Sequence, residues 1–269
     1  MSPQDYRPCQ GSVSANGACL SFTPPPPLGN WIYSFWQLDA VPGRFAYRGI
    51  PDNCVDWIIN VDIPGDSIVV APYLSPVVFE FEGPVSYFGI RFRILGQHGL
   101  IPAPVGEWAA GGVEIPARDV IDGAIADHVS ACVARQAGFD DRCRSLVQVL
   151  PRLIRAPRVD SRLARFVEHC FRNTSSRISV SDELCAGFGA SARQIRRLSR
   201  LYLGLSPRGF SRVIRFQQSI RTMAAAGRRS AWVDHYYDQP HFMREFRRLS
   251  GLKPNQLFSS SVLYKTRGS

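Results

Sequence analysis

Ser-Ala-Arg-Gln-Ile-Arg-Arg-Leu-Ser-Arg-Leu-Tyr-Leu-Gly, residues 191–204, carries the most informative local pattern in this chain. Ser191 followed by Gln194 is a capping-box pattern, which predicts that a helix begins here. Gly204 is a residue type that commonly ends a helix, and Pro207 lies just beyond it. The stretch therefore predicts a short, well-delimited helix.

The basic residues of this helix share one face. At about 100° per residue, positions i, i+3, i+4 and i+7 line up, while Ile195, Leu198 and Tyr202 fall opposite and can anchor the helix. The basic positions hold Arg193, Arg196, Arg197 and Arg200. No carboxylate lies within the helix, and guanidinium groups make forked contacts with phosphate or guanine. The pattern favours nucleic-acid binding over a solvated basic face.

The same pattern returns 47 residues further along the chain. Ser191 corresponds to Asp238, Ile195 to Phe242, Arg197 to Arg244, Arg200 to Arg247, Tyr202 to Leu249 and Gly204 to Gly251. A short helix predicted over 180–188 and a glycine-containing turn precede the first copy, which is the helix-turn-helix plan. We therefore predict two such units, at about 180–204 and 228–251.

A connecting helix is predicted between the two units. It opens at Ser206 and Pro207 and runs to about Met223, with Phe210 and Ile214 facing inward. A rigid connection would hold two recognition helices at a fixed separation. Adjacent major-groove sites on one face of DNA are ~34 Å apart, so both helices could dock together.

Charge is unevenly distributed along the 269 residues. Residues 151–269 hold 23 Lys and Arg against 7 Asp and Glu, which gives +16. Residues 1–150 hold 9 against 15, which gives −6. At ~150 residues per domain the chain predicts two domains. The asymmetry indicates a nucleic-acid module attached to a weakly acidic one.

Composition argues against several other classes of protein. No apolar run approaches the ~20 residues of a membrane span, and the N-terminus has no signal-peptide pattern, so we expect a cytoplasmic protein. The seven cysteines have no Cys-x-x-Cys spacing, which favours reduced thiols. No metal-ligand spacing, phosphate loop, dinucleotide motif or nucleophile motif is present, so we expect neither metal nor cofactor, and no enzyme.

Residues 45–93 predict β structure. Three turn signals divide the segment into short strands: Pro51-Asp52-Asn53, Pro64-Gly65-Asp66 and Gly83-Pro84. Runs of period two flank the last signal and predict a hairpin there. In that hairpin one face is predicted to carry Phe79, Phe81, Phe88, Ile90 and Phe92 toward the core, and the other Glu80, Glu82, Arg91 and Arg93.

Two interpretations of that polar face stay open. It could be the wall of a pocket for a small effector, or a solvated face with cross-strand salt bridges, and the second is favoured. The tryptophans of the region pose a similar choice between cavity lining and ordinary core, and core is favoured for Trp31, Trp36, Trp57 and Trp108.

The fold class predicted is α+β. Residues 1–150 form a β-rich, barrel- or sandwich-like domain whose trailing helices cover 119–151. An arginine-rich stretch between prolines, 151–159, is interpreted as the linker. Residues 160–269 form an all-α domain that opens with a helix capped by Asp160.

One segment of the second unit is highly specific. It reads Tyr237-Asp238-Gln239-Pro240-His241-Phe242-Met243-Arg244-Glu245-Phe246-Arg247-Arg248 and ends in Gly251-Leu252-Lys253-Pro254. With it, residues 160–260 resemble the AraC/XylS family of bacterial transcription regulators. The resemblance implies two helix-turn-helix units, binding to double-stranded promoter DNA, and contact with RNA polymerase. It implies DNA-contacting roles for Gln239, His241 and Arg244.

The N-terminal part is similar to the sensor domain of one AraC-type subgroup. The similarity lies in Ile50-Pro51-Asp52-Asn53-Cys54-Val55-Asp56, Phe88-Gly89-Ile90-Arg91-Phe92-Arg93 and Pro104-Val105-Gly106-Glu107-Trp108. Sensor domains of this family bind a small effector, dimerise, or both. The resemblance therefore implies a homodimer and a small-molecule effector of unspecified kind.

Three departures from the family pattern affect the helix-turn-helix units. Ser199 replaces a large apolar residue, which should loosen the first core, and His235 replaces a glycine. The segment 227–238 is shorter than usual by roughly one turn of 3.6 residues, and we expect Trp232 to fill the vacated space.

The sequence thus predicts a sequence-specific regulator that inserts two recognition helices into successive major grooves. Arg193, Arg196 and Arg197 are expected to read bases, and Arg200 and Arg247 to hold phosphates. The alternative is a regulator that acts through protein–protein interaction, with weakened or lost specific DNA binding.

Overall fold

The computed structural model describes residues 2–10, 17–156, 159–174, 178–226, 236–259 and 265–266. Within these ranges the strands are β1 Gly17–Phe22, β2 Ile32–Gly49, β3 Asp56–Asn60, β4 Ser67–Val70, β5 Val77–Phe92, β6 Glu114–Pro116 and β7 Lys265–Thr266. The α-helices are α1 Val105–Trp108, α2 Gly123–Ala134, α3 Phe139–Leu153, α4 Ser161–Arg172, α5 Asp182–Ala186, α6 Ala192–Leu203, α7 Pro207–Ala226, α8 Gln239–Ser250 and α9 Pro254–Ser259.

The described strands form one sheet in the order β6-β4-β3-β5-β2-β1-β7. Neighbours are antiparallel except β1 and β7, which pair in parallel. A β-rich N-terminal half with trailing helices and an all-helical C-terminal half confirm the predicted α+β class. Among the described helices, none combines the length and apolarity needed to cross a membrane.

The predicted hairpin at Gly83-Pro84 is wrong. These residues lie inside β5, which pairs with β2 on both sides of them. Opposite them, β2 carries one extra residue between Ala40 and Gly43, which is a β-bulge. Proline is tolerated at a bulge because the ladder is already interrupted there. The turn signal at Gly83-Pro84 therefore marks an irregularity in the pairing of β2 with β5, and not a turn.

Because β5 is one continuous strand and not a hairpin, the predicted assignment of its side chains to an apolar and a polar face is also wrong. Alternation runs uninterrupted, so Phe79 and Phe81 share a face with Arg91 and line a cavity with it. Phe88, Ile90 and Phe92 point the other way and are fully buried in the main core. Glu80 and Glu82 are exposed and do not share the face of Arg91.

The main core lies between the sheet and the two helices that follow it. Trp57 and Phe88 come from the sheet, while Val129 of α2 and Leu146 of α3 close the other side, and all four are fully buried. In the sequence, two helices follow the β-rich segment. The structure explains this order, because α2 and α3 cover one face of the sheet.

The helical half begins as predicted. Asp160 accepts a hydrogen bond from Arg162 N at the start of α4, and Leu163, Phe166 and Val167 are buried in a second core. Ser191 and Gln194 form a reciprocal capping box, and Gly204 ends α6 with φ of 68°. These bounds confirm the helix predicted over residues 191–204.

The helix predicted as the second recognition helix is α8, which packs on α7 through a third core. Asp238 caps it by accepting from His241 N at 2.6 Å, and Gly251 ends it with φ of 72°. Phe242, Phe246 and Leu249 are buried as predicted. Residues 227–235 lie outside the described residues, so the predictions for Trp232 and His235 remain predictions.

The motif at 50–56 joins the three cores. Ile50 packs in the third core, beside α8, Cys54 packs in the second core, beside α6, and Val55 packs in the main core of the sheet. Asn53, at φ of 63°, donates from Nδ2 to the carbonyl oxygen of Phe210 in α7 at 3.0 Å. The N-terminal half is thus packed directly against the connecting helix.

Candidate functional site

The arginine face of α6 is exposed to solvent. Arg193, Arg196, Arg197 and Arg200 are all exposed, while Ile195 and Leu198 on the opposite side are buried. The helix is therefore fixed by its apolar side and leaves four guanidinium groups on its other side. The structure brings together the residues that the sequence placed on one face.

These four arginines have no carboxylate within 4.0 Å among the described residues. Arg196 donates from Nη2 to the carbonyl oxygen of Val180 at 2.8 Å, which draws it toward the start of α5. Its guanidinium, with those of Arg200 and Arg208, lines an open basic recess at the N-terminus of α7. Unneutralised guanidinium groups at this spacing suit a polyanion.

The C-terminal end of α6 rests on the N-terminal half. A methyl group on Gly106 of α1 would overlap the carbonyl oxygen of Arg200 and approach Leu201 Cα to 3.1 Å. His98 Nε2 lies 3.2 Å from the carbonyl oxygen of Tyr202, and burial lowers the pKa of His98. The orientation of the arginine face is thus set partly by α1.

The face of α8 carries the remaining candidate residues. Gln239, Arg244 and Arg247 are exposed, as predicted from the repeat. His241 is only partly exposed, and its ring packs edge-on against Tyr236 with 5.5 Å between centroids. Its Nδ1 is buried and has no hydrogen-bond partner within the described ranges. Three of the four positions are therefore available to a ligand without rearrangement.

The end of α8 also touches the N-terminal half. A side chain at Gly251 would lie 2.8 Å from Arg48 Nη1 and 3.1 Å from Pro76 Cγ. On its other side α8 is tied to α7, where Arg212 and Glu245 are 3.8 Å apart. Helices α6 and α8 thus both contact α7 as well as the sheet domain.

Ser199 lies in the core beneath the arginine face, where the sequence leads one to expect a loosened packing. It is fully buried, and its Oγ has no hydrogen-bond partner among the described residues. Ser250, in α8, is equally buried, but its Oγ donates to the carbonyl oxygen of Phe246 at 2.7 Å. Burial of the Ser199 hydroxyl therefore lowers stability, whereas the hydrogen bond of Ser250 offsets the cost of burying its hydroxyl.

A second site is a cavity of about 210 Å³ against the sheet, which corresponds to the less favoured of the two interpretations of the polar face of β5. The favoured interpretation of Arg91 as part of a solvated face is wrong, because Arg91 is buried in the cavity wall. Its guanidinium is held by Asp56, with Nη2 2.9 Å from Oδ2, and by Asp52 at 3.5 Å. The pairing follows from the register of β3 and β5, which places Asp56 opposite Arg91.

The tryptophans divide between core and cavity. Trp57 is fully buried in the main core, as favoured, and Trp31 and Trp108 pack at its edge. Trp36 instead lines the cavity, and its Nε1 donates to Asp56 Oδ1 at 2.8 Å. A side chain at Gly89 would overlap its indole ring, so this glycine makes room for Trp36. The alternation of residues along the sequence could not show on which face of the bulged strand β2 each aromatic side chain lies.

In the described part of the chain, no cluster of three or more His, Cys, Asp or Glu could hold a metal ion. All seven cysteines are free, and four of them are buried.

Residues 20–114 match a family model described as a domain of unknown function, DUF6597. No curated protein matches the chain.

Solved structures of ToxT from Vibrio cholerae, a regulator of the AraC/XylS family, match the chain at low identity. An apo single-residue variant is 9% identical over 93% of this chain and 96% of that one, with a TM-score of 0.43. ToxT bound to an unsaturated fatty acid is 9% identical over 97% and 100%, with a TM-score of 0.37. ToxT bound to (E)-4-(8-methylnaphthalen-1-yl)but-3-enoic acid is 12% identical over 93% and 100%, with a TM-score of 0.41.

Proposed function

We propose that this chain is a sequence-specific DNA-binding transcription regulator of the AraC/XylS type. The observation that carries the proposal is the arginine face of α6, whose four exposed guanidinium groups have no carboxylate partner among the described residues. Phosphates and guanine edges in a major groove are the partners that such a face fits. No catalytic step is part of the proposal.

The four arginines take two roles in the proposal. Arg193, Arg196 and Arg197 lie in the N-terminal half of α6, the part of a recognition helix that reaches base edges. Arg200 lies nearer its C-terminal end and holds a phosphate. The contact from Arg196 to Val180 is released or shared when the helix docks, because the same donors are needed for guanine.

The second recognition helix is α8, which reads an adjacent major groove through Gln239 and Arg244, with Arg247 on a phosphate. His241 joins them after its ring turns away from Tyr236. The helix α7, buried along most of its length, holds α6 and α8 at a fixed separation. We expect α8 to discriminate less among sequences than α6.

Residues 1–150 serve as the sensor and dimerisation domain in this proposal, residues 151–159 as the linker, and residues 160–269 as the DNA-binding domain. The cavity lined by Trp36 and Arg91 gives the sensor domain a place for a small effector. A homodimer in the cytoplasm and a contact with RNA polymerase complete the proposal, and both rest on the family resemblance.

Selection of bound sites from a random double-stranded DNA library by the full-length protein tests the proposal. We expect a recurrent motif that spans two adjacent major grooves on one face of the duplex. A protein that retained DNA without enriching any sequence would favour the alternative, a regulator that acts through protein–protein interaction.

A further inference from the structure

The cavity in the sheet domain has a continuous aromatic wall. Its rings come from Trp36, Tyr47, Tyr73, Phe79, Phe81 and Tyr87. Successive centroids lie 6.1 Å apart for Tyr47 and Phe79, 6.5 Å for Phe79 and Phe81, and 5.1 Å for Phe81 and Tyr87. Ring faces carry partial negative charge, which attracts a cation within about 6 Å of the centroid.

Charged groups around the cavity are predominantly acidic. Asp56 is a buried residue of its lining, and Asp66 and Glu114 lie in exposed positions of the lining. Neither Asp66 nor Glu114 has a basic group within 4.0 Å among the described residues. Burial raises the pKa of Tyr87, and the negative charges of Asp66 and Glu114 raise it further. The field of both carboxylates therefore reaches the aromatic wall.

The basic residue of the described lining is Arg91, and its charge is already neutralised. Its Nε lies 3.0 Å from Asp56 Oδ1, its Nη2 lies 2.9 Å from Asp56 Oδ2, and Asp52 approaches its Nη1. An anionic ligand would have to displace a buried carboxylate from this guanidinium and leave that carboxylate unpaired, which is strongly unfavourable. The cavity is therefore poorly suited to carboxylates or phosphates.

We propose that this cavity binds a small organic cation, an ammonium group attached to an apolar or aromatic body, as the effector of the regulator. The apolar body packs on the aromatic wall, and the ammonium group is attracted by the ring faces and by the carboxylates of Asp66 and Glu114. The volume of about 210 Å³ is below the ~300–1,000 Å³ of drug-sized pockets, which limits the ligand to about one ring. The assignment as effector rests on the proposed regulatory function.

Calorimetric titration of the full-length protein with three compounds of nearly equal size tests the charge preference. The probes are 2-phenylethylamine, which is cationic at pH 7, 2-phenylethanol, which is neutral, and phenylacetate, which is anionic. We expect the Kd of the amine to be at least ~10-fold lower than that of either other compound.

Two double variants, each of which removes two negative charges, test whether the carboxylates of the cavity lining cause the preference for the amine. Asp66→Asn combined with Glu114→Gln should raise the Kd of the amine by about 3- to 10-fold and leave that of the alcohol unchanged. Both positions are exposed, so the fold should be kept. Glu80→Gln combined with Glu82→Gln removes the same charge from exposed positions of β5 that lie outside the cavity lining, and should change neither Kd.

Two results would overturn the proposal. One is binding of phenylacetate as tight as that of the amine, and the other is no heat of binding for any probe at up to about 10 mM. The library selection, performed without ligand, distinguishes this failure from failure of the DNA-binding function. A protein that enriches a DNA motif but ignores the amine would retain the proposed function and lose only the proposed effector.

Discussion

At the scale of single residues, Ser199 is the clearest point at which this chain departs from good packing. Its hydroxyl is fully buried and has no hydrogen-bond partner in the described part of the chain, at a position whose repeat counterpart is the fully buried Phe246. An unmade hydrogen bond in such a place costs about 1–3 kcal/mol. We expect Ser199→Ala to raise the free energy of unfolding by about 1 kcal/mol, measured by urea denaturation.

Ser250→Ala is the matched control for that measurement. Its hydroxyl is equally buried but donates to the carbonyl oxygen of Phe246, so its removal should lower the free energy of unfolding by about 1 kcal/mol. Equal destabilisation by the two alanine variants would show that Ser199 is satisfied in solution.

The arginines of α6 should separate into two classes when replaced singly. Arg196→Ala or Arg197→Ala should cost ~1–3 kcal/mol on the selected DNA site and relax one base position. Arg200→Ala should weaken binding to all sequences alike and lower the salt slope by about one. Titration of selected and random DNA over a range of salt measures both effects. Equal losses on both DNAs for Arg196→Ala and Arg197→Ala would contradict the assignment.

At the scale of elements, the contact between α1 and α6 depends on one glycine. A methyl group at Gly106 would overlap the carbonyl oxygen of Arg200, which is backbone and cannot move aside alone. Gly106→Ala should therefore push α1 from α6 and lower the free energy of unfolding by about 1–3 kcal/mol, despite the better helix propensity of alanine. Faster amide hydrogen exchange in the last turn of α6 would report the loosened contact.

Gly111→Ala provides the comparison for Gly106→Ala, because a methyl group there would meet nothing within 4 Å. We expect its unfolding free energy to stay within about 0.5 kcal/mol of the parent. If the two variants behaved alike, the α1–α6 contact would not be rigid in solution.

The helices were the elements that local sequence predicted best. Caps at Ser191, Asp160 and Asp238 and stops at Gly204 and Gly251 are local signals, and the structure has each of them. They could be predicted from the sequence because capping hydrogen bonds join residues within about one turn of the helix end.

The strands were harder to predict, because their irregularities depend on a distant partner. Gly83-Pro84 carries a turn signal, yet β5 continues through it, since the β2 strand bulges opposite. That compensation lies about 40 residues away in the chain and leaves no local pattern. The faces of β5, and with them the cavity residues, could be assigned only once the pairing was known.

At the scale of the whole molecule, the two halves are more closely joined than a linker between independent domains would suggest. The motif 50–56 contributes to all three cores, and Gln217 of α7 donates to the carbonyl oxygens of Cys9 and Pro51. Composition and charge asymmetry indicated two modules, but they carry no information on how modules pack. Changes in the N-terminal half can therefore reach α7 through direct contacts.

The central claim is that one chain docks two recognition helices in adjacent major grooves. A footprint of the full-length protein on its selected site tests this most directly, using Arg193→Ala with Arg197→Ala in one variant and Gln239→Ala with Arg244→Ala in the other. We expect each variant to lose protection at a different end of the site, about 10 base pairs apart, while the other end survives. Arg118→Ala, which removes an exposed arginine of the sheet domain, should leave the footprint unchanged. Loss of the same protection in both variants, or of none in either, would contradict the claim.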